Sequence, residues 1–442
     1  MLKMRESRSF YSKMSDISLI IITFIVLVIG GVPLFVGVGI TTVLALFLID
    51  IPFTLISQIS FTSLQPFPLL TIPLFVLSGR LMETGGMADR LIDVARKMVG
   101  SYRGSTGMMT VLACMLFSAL SGSGPATTAA IGSITIPVMK REGYTSKFAG
   151  AVSAAGGALG SMIPPSNLLI IYGLIAEQSI PRLFLAGFVP GFFITALLVI
   201  TSYIIARKNG FGEIGAPFSW RPFINSLKEG KWSIGAPILI LGGIYSGAFT
   251  PTEAAGVAVF YALFVGVFIY KGLTLKKIYE ALRFTALMSG LLIIIAPSYA
   301  FGQLSAFYDI GTATQELITS YTSNVFIVLL LIGLIYIFVG TFMESLAQLV
   351  LFTPVFLPVV TALGVDPVLF GIFSVMTCEI GFLTPPLGGN LNIASKIAKI
   401  TIEEVAVAVI PFIFAYIAGL LFLIFFPQAT LFLPDLIYGV SK

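Results

Sequence analysis

The sequence predicts an all-α integral membrane protein whose two halves are inverted repeats, each with a re-entrant helical hairpin and a discontinuous helix. Three observations support this: an apolar composition, the placement of Lys and Arg, and a Gly/Pro pattern that recurs in the second half of the chain. Of 442 residues, 57% are hydrophobic and 10% charged. Mean hydropathy is +1.02, so most of the chain must lie in hydrocarbon. The first apolar run starts near Ile17 and many follow, so a cleaved signal peptide does not account for them. A net charge of +5 without Lys/Arg blocks suits basic cytoplasmic loops in a lipid bilayer and argues against nucleic acid as a partner. With no histidine in the chain, His relays, Ser-His-Asp triads and HExxH zinc sites are excluded. There is no GxxxxGK(S/T) phosphate loop, so ATP held by such a loop powers nothing here. Cys114 and Cys378 lie in separate apolar runs and read as small buried side chains.

Lys and Arg mark cytoplasmic loops, and they set the order of crossings. Apolar runs at 17–31, 32–49 and 53–79 form an N-terminal group of helices. Lys3, Arg5, Arg8 and Lys13 place the N-terminus inside, whereas three spans before a cytoplasmic Arg80 place it outside; the agreement of later loops favours outside. Arg80, Arg90, Arg96, Lys97 and Arg103 form one basic cluster, and Lys140, Arg141 and Lys147 the next. A single apolar stretch, 107–139, lies between them and contains SGSGP. With both flanks cytoplasmic it must enter and return, as a hairpin with SGSGP at its tip. The run 148–176 then crosses outward, and 183–206 returns to Arg207 and Lys208. Residues 232–249 cross out, 252–270 return, and 284–307 cross out again. From Phe284 to Ser395 there is no Lys or Arg, so 324–360 is expected as a second hairpin entering from the opposite face. The run 368–383 continues inward through 395, and 403–426 is the last span. The chain thus divides into N-terminal scaffold helices (1–79), a first repeat (80–182), central scaffold helices (183–307), a second repeat (308–402) and a C-terminal helix and tail (403–442).

One constant shift along the chain superimposes Pro137 and Val138 on Pro358 and Val359, then Gly143 on Gly364, Gly150 on Gly371, Ser153 on Ser374 and Gly160 on Gly381. Pro164-Pro165 falls on Pro385-Pro386. The shared residues are those that bend backbones. The first copy's loop carries Lys140, Arg141 and Lys147 and the second only Asp366, so by the charge rule the copies face opposite sides. Inverted repeats of this kind build secondary carriers, with a site at the midplane.

Each repeat has two interruptions: a hairpin tip (121–128; near Glu344 and Ser345) and a split helix (161–167; 382–390). A break inside the bilayer frees backbone groups, which is tolerable where they line a cavity. Half-helix N-termini suit a carboxylate, while free carbonyls and half-helix C-termini suit Na+. Packing kinks are the plain alternative for any one break. Glu344 and Glu379 are carboxylates in apolar runs and therefore candidates for function; Glu344, opposite Ser123 in the repeat, is the stronger of the two. Residues 87–99, MADRLIDVARKMV, put Leu91, Val94, Ala95 and Met98 on one face, as an interfacial helix does. TATQELITSYTS is a weaker counterpart before the second hairpin.

The segments SGSGPATTAAIGSITIPVMKREGY, GALGSMIPPSNLLIIYG, GIYSGAFTPTEAAGVAVFYAL and GTFMESLAQLVLFTPVFLPV resemble the large membrane subunit of tripartite ATP-independent periplasmic (TRAP) transporters. The resemblance runs over nearly the whole chain, and FTPTEAAG makes it specific. It implies an elevator-type carrier in the bacterial inner (cytoplasmic) membrane, importing an organic acid driven by Na+ as coupling ion. It also implies two partners, a four-helix small membrane subunit and a periplasmic substrate-binding protein. By position, it assigns substrate contacts to Ser121, Gly122, Ser123, Ser166 and Asn167. It assigns Na+ to Ser123, Gly160 and Pro164 in the first repeat and to Gly340, Thr341, Glu344, Gly381, Thr384 and Pro385 in the second. C4-dicarboxylates, sialic acid and sugar acids all suit the resemblance. Rival readings are a stand-alone ion-coupled anion carrier, a passive channel and a membrane-embedded enzyme; the enzyme would need a constellation of Asp, His or Cys at a membrane face, and none is visible.

Overall fold

The computed structural model describes residues 16–439 apart from 21, 28, 29, 101, 213–216, 309, 310, 312, 313, 317–319 and 321. Lys3, Arg5, Arg8, Lys13 and half of the TATQELITSYTS segment lie outside the described residues. The elements described are all helical, and five helices are long and apolar enough to cross a membrane.

The stretch 107–139 folds as two helices, Ser105–Ser121 and Gly124–Arg141. The Thr106 hydroxyl, in the first turn, donates to the Glu142 carboxylate just past the end of the second helix. A straight rod would separate those two ends by about 50 Å, so the chain doubles back at Gly122 and Ser123. The second hairpin pairs Val325–Gly340 with Ser345–Ala362. Across it, the Tyr336 ring meets Phe352 and Phe356 at 5.6 and 6.0 Å between centroids.

The split helices follow. The first runs Ser146–Ala158, continues through a short turn at Leu159–Ser161, breaks, and resumes at Asn167–Ile175; the second runs Pro367–Phe382 and resumes at Gly389–Ala398. The repeat reaches down to individual caps. Thr145 accepts a bond from the Phe148 N–H, and Asp366, its counterpart in the second repeat, accepts one from Val368 at 2.7 Å. Such a cap stabilises a helix start by about 1 kcal/mol. The Pro164-Pro165 and Pro385-Pro386 peptide bonds are both cis.

The two repeats run antiparallel. At one face the Lys140 ammonium, at the base of the first hairpin, donates to the Ala398 carbonyl at the end of the second split helix. At the other, the Tyr172 hydroxyl, near the end of the first split helix, donates to the Pro367 carbonyl at the start of the second, at 2.6 Å. Each repeat's base therefore sits beside the other's end, as the distribution of Lys and Arg requires. Helix Ile402–Phe425 packs along the first split helix, where the Tyr416 hydroxyl donates to Ala155. Large apolar side chains such as Phe260, Phe338 and Val407 point outward, as lipid contact demands.

Three elements differ from the sequence expectation. The run 53–79 is a pair of helices, Thr54–Ser63 and Phe67–Thr84, bent by 61°; Pro66 lacks the N–H that would continue the helix and restricts Gln65 before it. The span expected at 284–307 begins at Leu275, so Lys276, Lys277 and Arg283 lie on its first turns. The polar stretch before Lys231 contains an amphipathic helix, Trp220–Glu229, packed on Met87–Val99. That second helix buries Met87, Ala88, Leu91, Ile92, Val94 and Ala95, while Met98 is half-buried.

Candidate functional site

The four interruptions meet. At the first, Gly122 adopts φ +61, a left-handed conformation that suits glycine, and its carbonyl accepts the Asn167 N–H at 3.0 Å. The first hairpin tip thereby rests on the first split helix just after its double proline. At the second, the Thr341 carbonyl accepts the Leu387 N–H at 2.7 Å, again just after a double proline. Gly340 and Gly381 touch there: a Cβ added to either would lie within 2.8 Å of the other's Cα.

Between the tips and helices Thr71–Thr84 and Leu275–Gly290 lies a cavity of about 280 Å³. Ser121, Gly122, Ser123, Asn167 and Glu344 line it, with Ser161, Ser345 and Glu379. Ser121 shares a 2.6 Å hydrogen bond with Thr127 across the tip. Glu344, just before the second helix of its hairpin, is exposed to the cavity, whereas Glu379 is 1% exposed. Glu379 is nonetheless where the repeats converge: Ser345 Oγ and Asn390 Nδ2 each approach its carboxylate at 3.4 Å. Sequence separation hides that convergence, so the reading that favoured Glu344 had no access to it.

Other candidates sit behind the lining. Ser166 caps Asn167–Ile175 by accepting the Leu169 N–H and donates to the Ser161 carbonyl. Gly160 lies against the Ser123 carbonyl, where a Cβ would come within 2.5 Å. Pro164 and Pro385 belong to the cis bonds, and the Thr341 and Thr384 hydroxyls donate to Phe338 and Ile380 carbonyls.

The opposite wall brings a group that the sequence hid. Arg80 lines the cavity, holds both Glu83 carboxylate oxygens at 2.7 Å, and lies 5.0 Å over the Phe284 ring. Its Nε is buried with no hydrogen-bond partner. A basic residue at the end of an apolar run reads as a loop cation, so only the helix's path through 84 placed it here. Charged lining residues are thus Arg80 against Glu83, Glu344 and Glu379. Buried acceptors without partners also gather at the breaks: Asn167 Oδ1, Gln348 Oε1 and Asn390 Oδ1. Oxygen acceptors and carboxylates fit a hard monovalent cation such as Na+.

Antiparallel repeats, each broken twice around a central cavity, define a multi-pass membrane transport protein. Residues 21–429 match the family described as tripartite ATP-independent periplasmic transporter, DctM component. The chain belongs to that family, as its large permease subunit. It is 35% identical to the C4-dicarboxylate TRAP transporter large permease protein of Rhodobacter capsulatus, covering 93% of this chain and 97% of that one. It is 38% identical to the sialic acid TRAP transporter large permease protein of Vibrio cholerae over 85% and 88% of the two chains. An isethionate TRAP transporter permease protein of Oleidesulfovibrio alaskensis is 39% identical over 92% of this chain, which spans 65% of that longer protein. Among solved structures, the Alcanivorax borkumensis YdaH transporter shares the fold, with a TM-score of 0.58 at 15% identity over 84% of this chain and 88% of that one.

Proposed function

We propose that this chain imports a small organic anion across the bacterial inner membrane, driven by Na+. It works with a four-helix small membrane subunit and a periplasmic substrate-binding protein. The observation that supports this best is the charge of the cavity: one guanidinium faces three carboxylates. An organic anion entering such a site adds like charge in a poorly screened environment. Cations must accompany it, and the unpartnered acceptors at the breaks are where they bind. Relatives named for C4-dicarboxylate, sialic acid, 2,3-diketo-L-gulonate and isethionate support an organic anion as the substrate class. Arg80 takes the acidic group by a forked pair of hydrogen bonds, facing the N-terminal dipole of Gly124–Arg141. The hairpins and split helices slide as one body past helices Thr71–Thr84 and Leu275–Phe307, carrying the site across.

The test is uptake into proteoliposomes holding both membrane subunits, with the binding protein outside. Accumulation should require an inward Na+ gradient and collapse when K+ replaces Na+. Unchanged uptake in K+ refutes Na+ coupling, and equal uptake without the binding protein refutes the tripartite reading.

A further inference from the structure

We propose that Glu379, Ser161 and Asn390 form a Na+ site against Gly124, at the junction of the two repeats. This rests on the Na+-coupled reading above. A Cβ built on Gly124 lies 3.1 Å from Glu379 Oε2, 3.2 Å from Ser161 Oγ and 3.3 Å from Asn390 Nδ2. One point is therefore faced by polar atoms from three separate elements, and glycine is the residue that keeps it free of carbon. Asn390 is 0% exposed and its Oδ1 has no partner. Which amide atom faces the cradle is a matter of orientation, and turning the amide over presents three oxygens to one centre.

Charge makes the same demand. Glu379 is buried, and no Lys or Arg among the described residues forms an ion pair with it; Arg80, in the same cavity, is bound to Glu83. A buried carboxylate left without a counter-ion is strongly unfavourable. Packing does not explain it either, because the equivalent position in the first repeat is Ala158, fully buried. Gly124 in turn corresponds to Ser345, whose hydroxyl faces the other oxygen of Glu379 at 3.4 Å. The carboxylate thus occurs once, where both repeats reach it, so cation binding there ties the two hairpins and two split helices into a single body.

The experiment is a Na+ titration of the thermal stability of the purified two-subunit complex, with K+ holding ionic strength constant. Gly124→Ala fills the cradle without changing charge, and Glu379→Gln removes the charge with little change of shape. Each should raise the Na+ concentration for half-maximal stabilisation about tenfold. A wild-type titration in both variants overturns the site. Should either variant fail to fold, the Na+-minus-K+ infrared difference spectrum of the wild-type complex decides. A Na+-sensitive carboxylate band that moves in Glu379→Asp supports the site. A protonated carboxyl band indifferent to Na+ overturns it in favour of a proton. Uptake separates the two levels: Na+-independent uptake by the wild type sinks the coupling itself, whereas Na+-dependent uptake with unaltered variant titrations sinks this site alone.

Discussion

Arg80 and Glu83 occupy one turn of a helix that meets the first hairpin tip at Gly79, and their ion pair is only partly screened. The side chains are 31% and 20% exposed, and a forked guanidinium in that setting exchanges one carboxylate partner for another at modest cost. We expect Arg80→Gln to raise the KM for the anionic substrate about tenfold while the complex still folds, with Arg80→Lys intermediate because it keeps charge without the fork. Uptake kinetics at saturating binding protein measure this; an unchanged KM returns Arg80 to a structural partnership with Glu83. At this scale the sequence was informative where residues contradict their surroundings. Ser121, Gly122, Ser123 and Asn167 stand out because Gly, Pro and small polar residues interrupt apolar runs, and all four line the cavity. Arg80 and Phe284 do not stand out, because a cation at the end of a span and an aromatic within one are what any membrane helix shows.

Helix starts are where the two repeats agree most closely, since Thr145 and Asp366 cap the split helices from equivalent positions. A further cap ties the last span to the first repeat. Thr401 and Glu404 form a capping box at the start of Ile402–Phe425, and the Lys147 ammonium reaches the Glu404 carboxylate at 3.0 Å. Lys147 belongs to the basic cluster of a cytoplasmic loop, so Glu404, which it holds, stands with the first turn of that helix outside the lipid. Lys147, together with the Thr401 backbone, holds the Glu404 carboxyl below its usual range. A carboxyl lowered in the folded state contributes stability that is present above its unfolded pKa and is lost as pH falls through the folded value. Thermal melts should therefore lose stability on that acid limb, and Glu404→Gln should flatten that part of the profile; an unchanged slope refutes the assignment. The first hairpin was legible at this scale, because Lys and Arg on both flanks of one apolar stretch force a return, and the second hairpin and the split helices followed from the long stretch free of Lys and Arg and from the recurring Gly/Pro pattern. The Trp220–Glu229 helix was not, because a short polar-rich segment reads equally well as loop until Met87–Val99 supplies a surface for it to pack on.

As a whole, the molecule sets two antiparallel repeats against a wall of helices, and the proposed sliding mechanism requires the contacts across that boundary to change. Gly302, on Ile295–Phe307, faces Pro354 of the second hairpin: a Cβ built on Gly302 lies 3.6 Å from the Pro354 Cβ, within the range that a disulfide spans. Cys114 and Cys378 are buried and free, so a Gly302→Cys/Pro354→Cys pair is the natural cross-link. Oxidising it should abolish uptake and reductant should restore it; full uptake by the cross-linked protein would end the sliding mechanism. The sequence by itself determined that the chain lives in lipid, that its halves are opposed repeats and where each is broken, since hydropathy, Lys/Arg placement and helix-breaking residues act locally or through regular spacing. Only the tertiary structure brought Glu379 between the two repeats, turned Arg80 to the cavity and set Gly124 against Glu379, Ser161 and Asn390. Those facts depend on which side chains from distant parts of the chain meet at one point, and spacing along a sequence does not record such meetings.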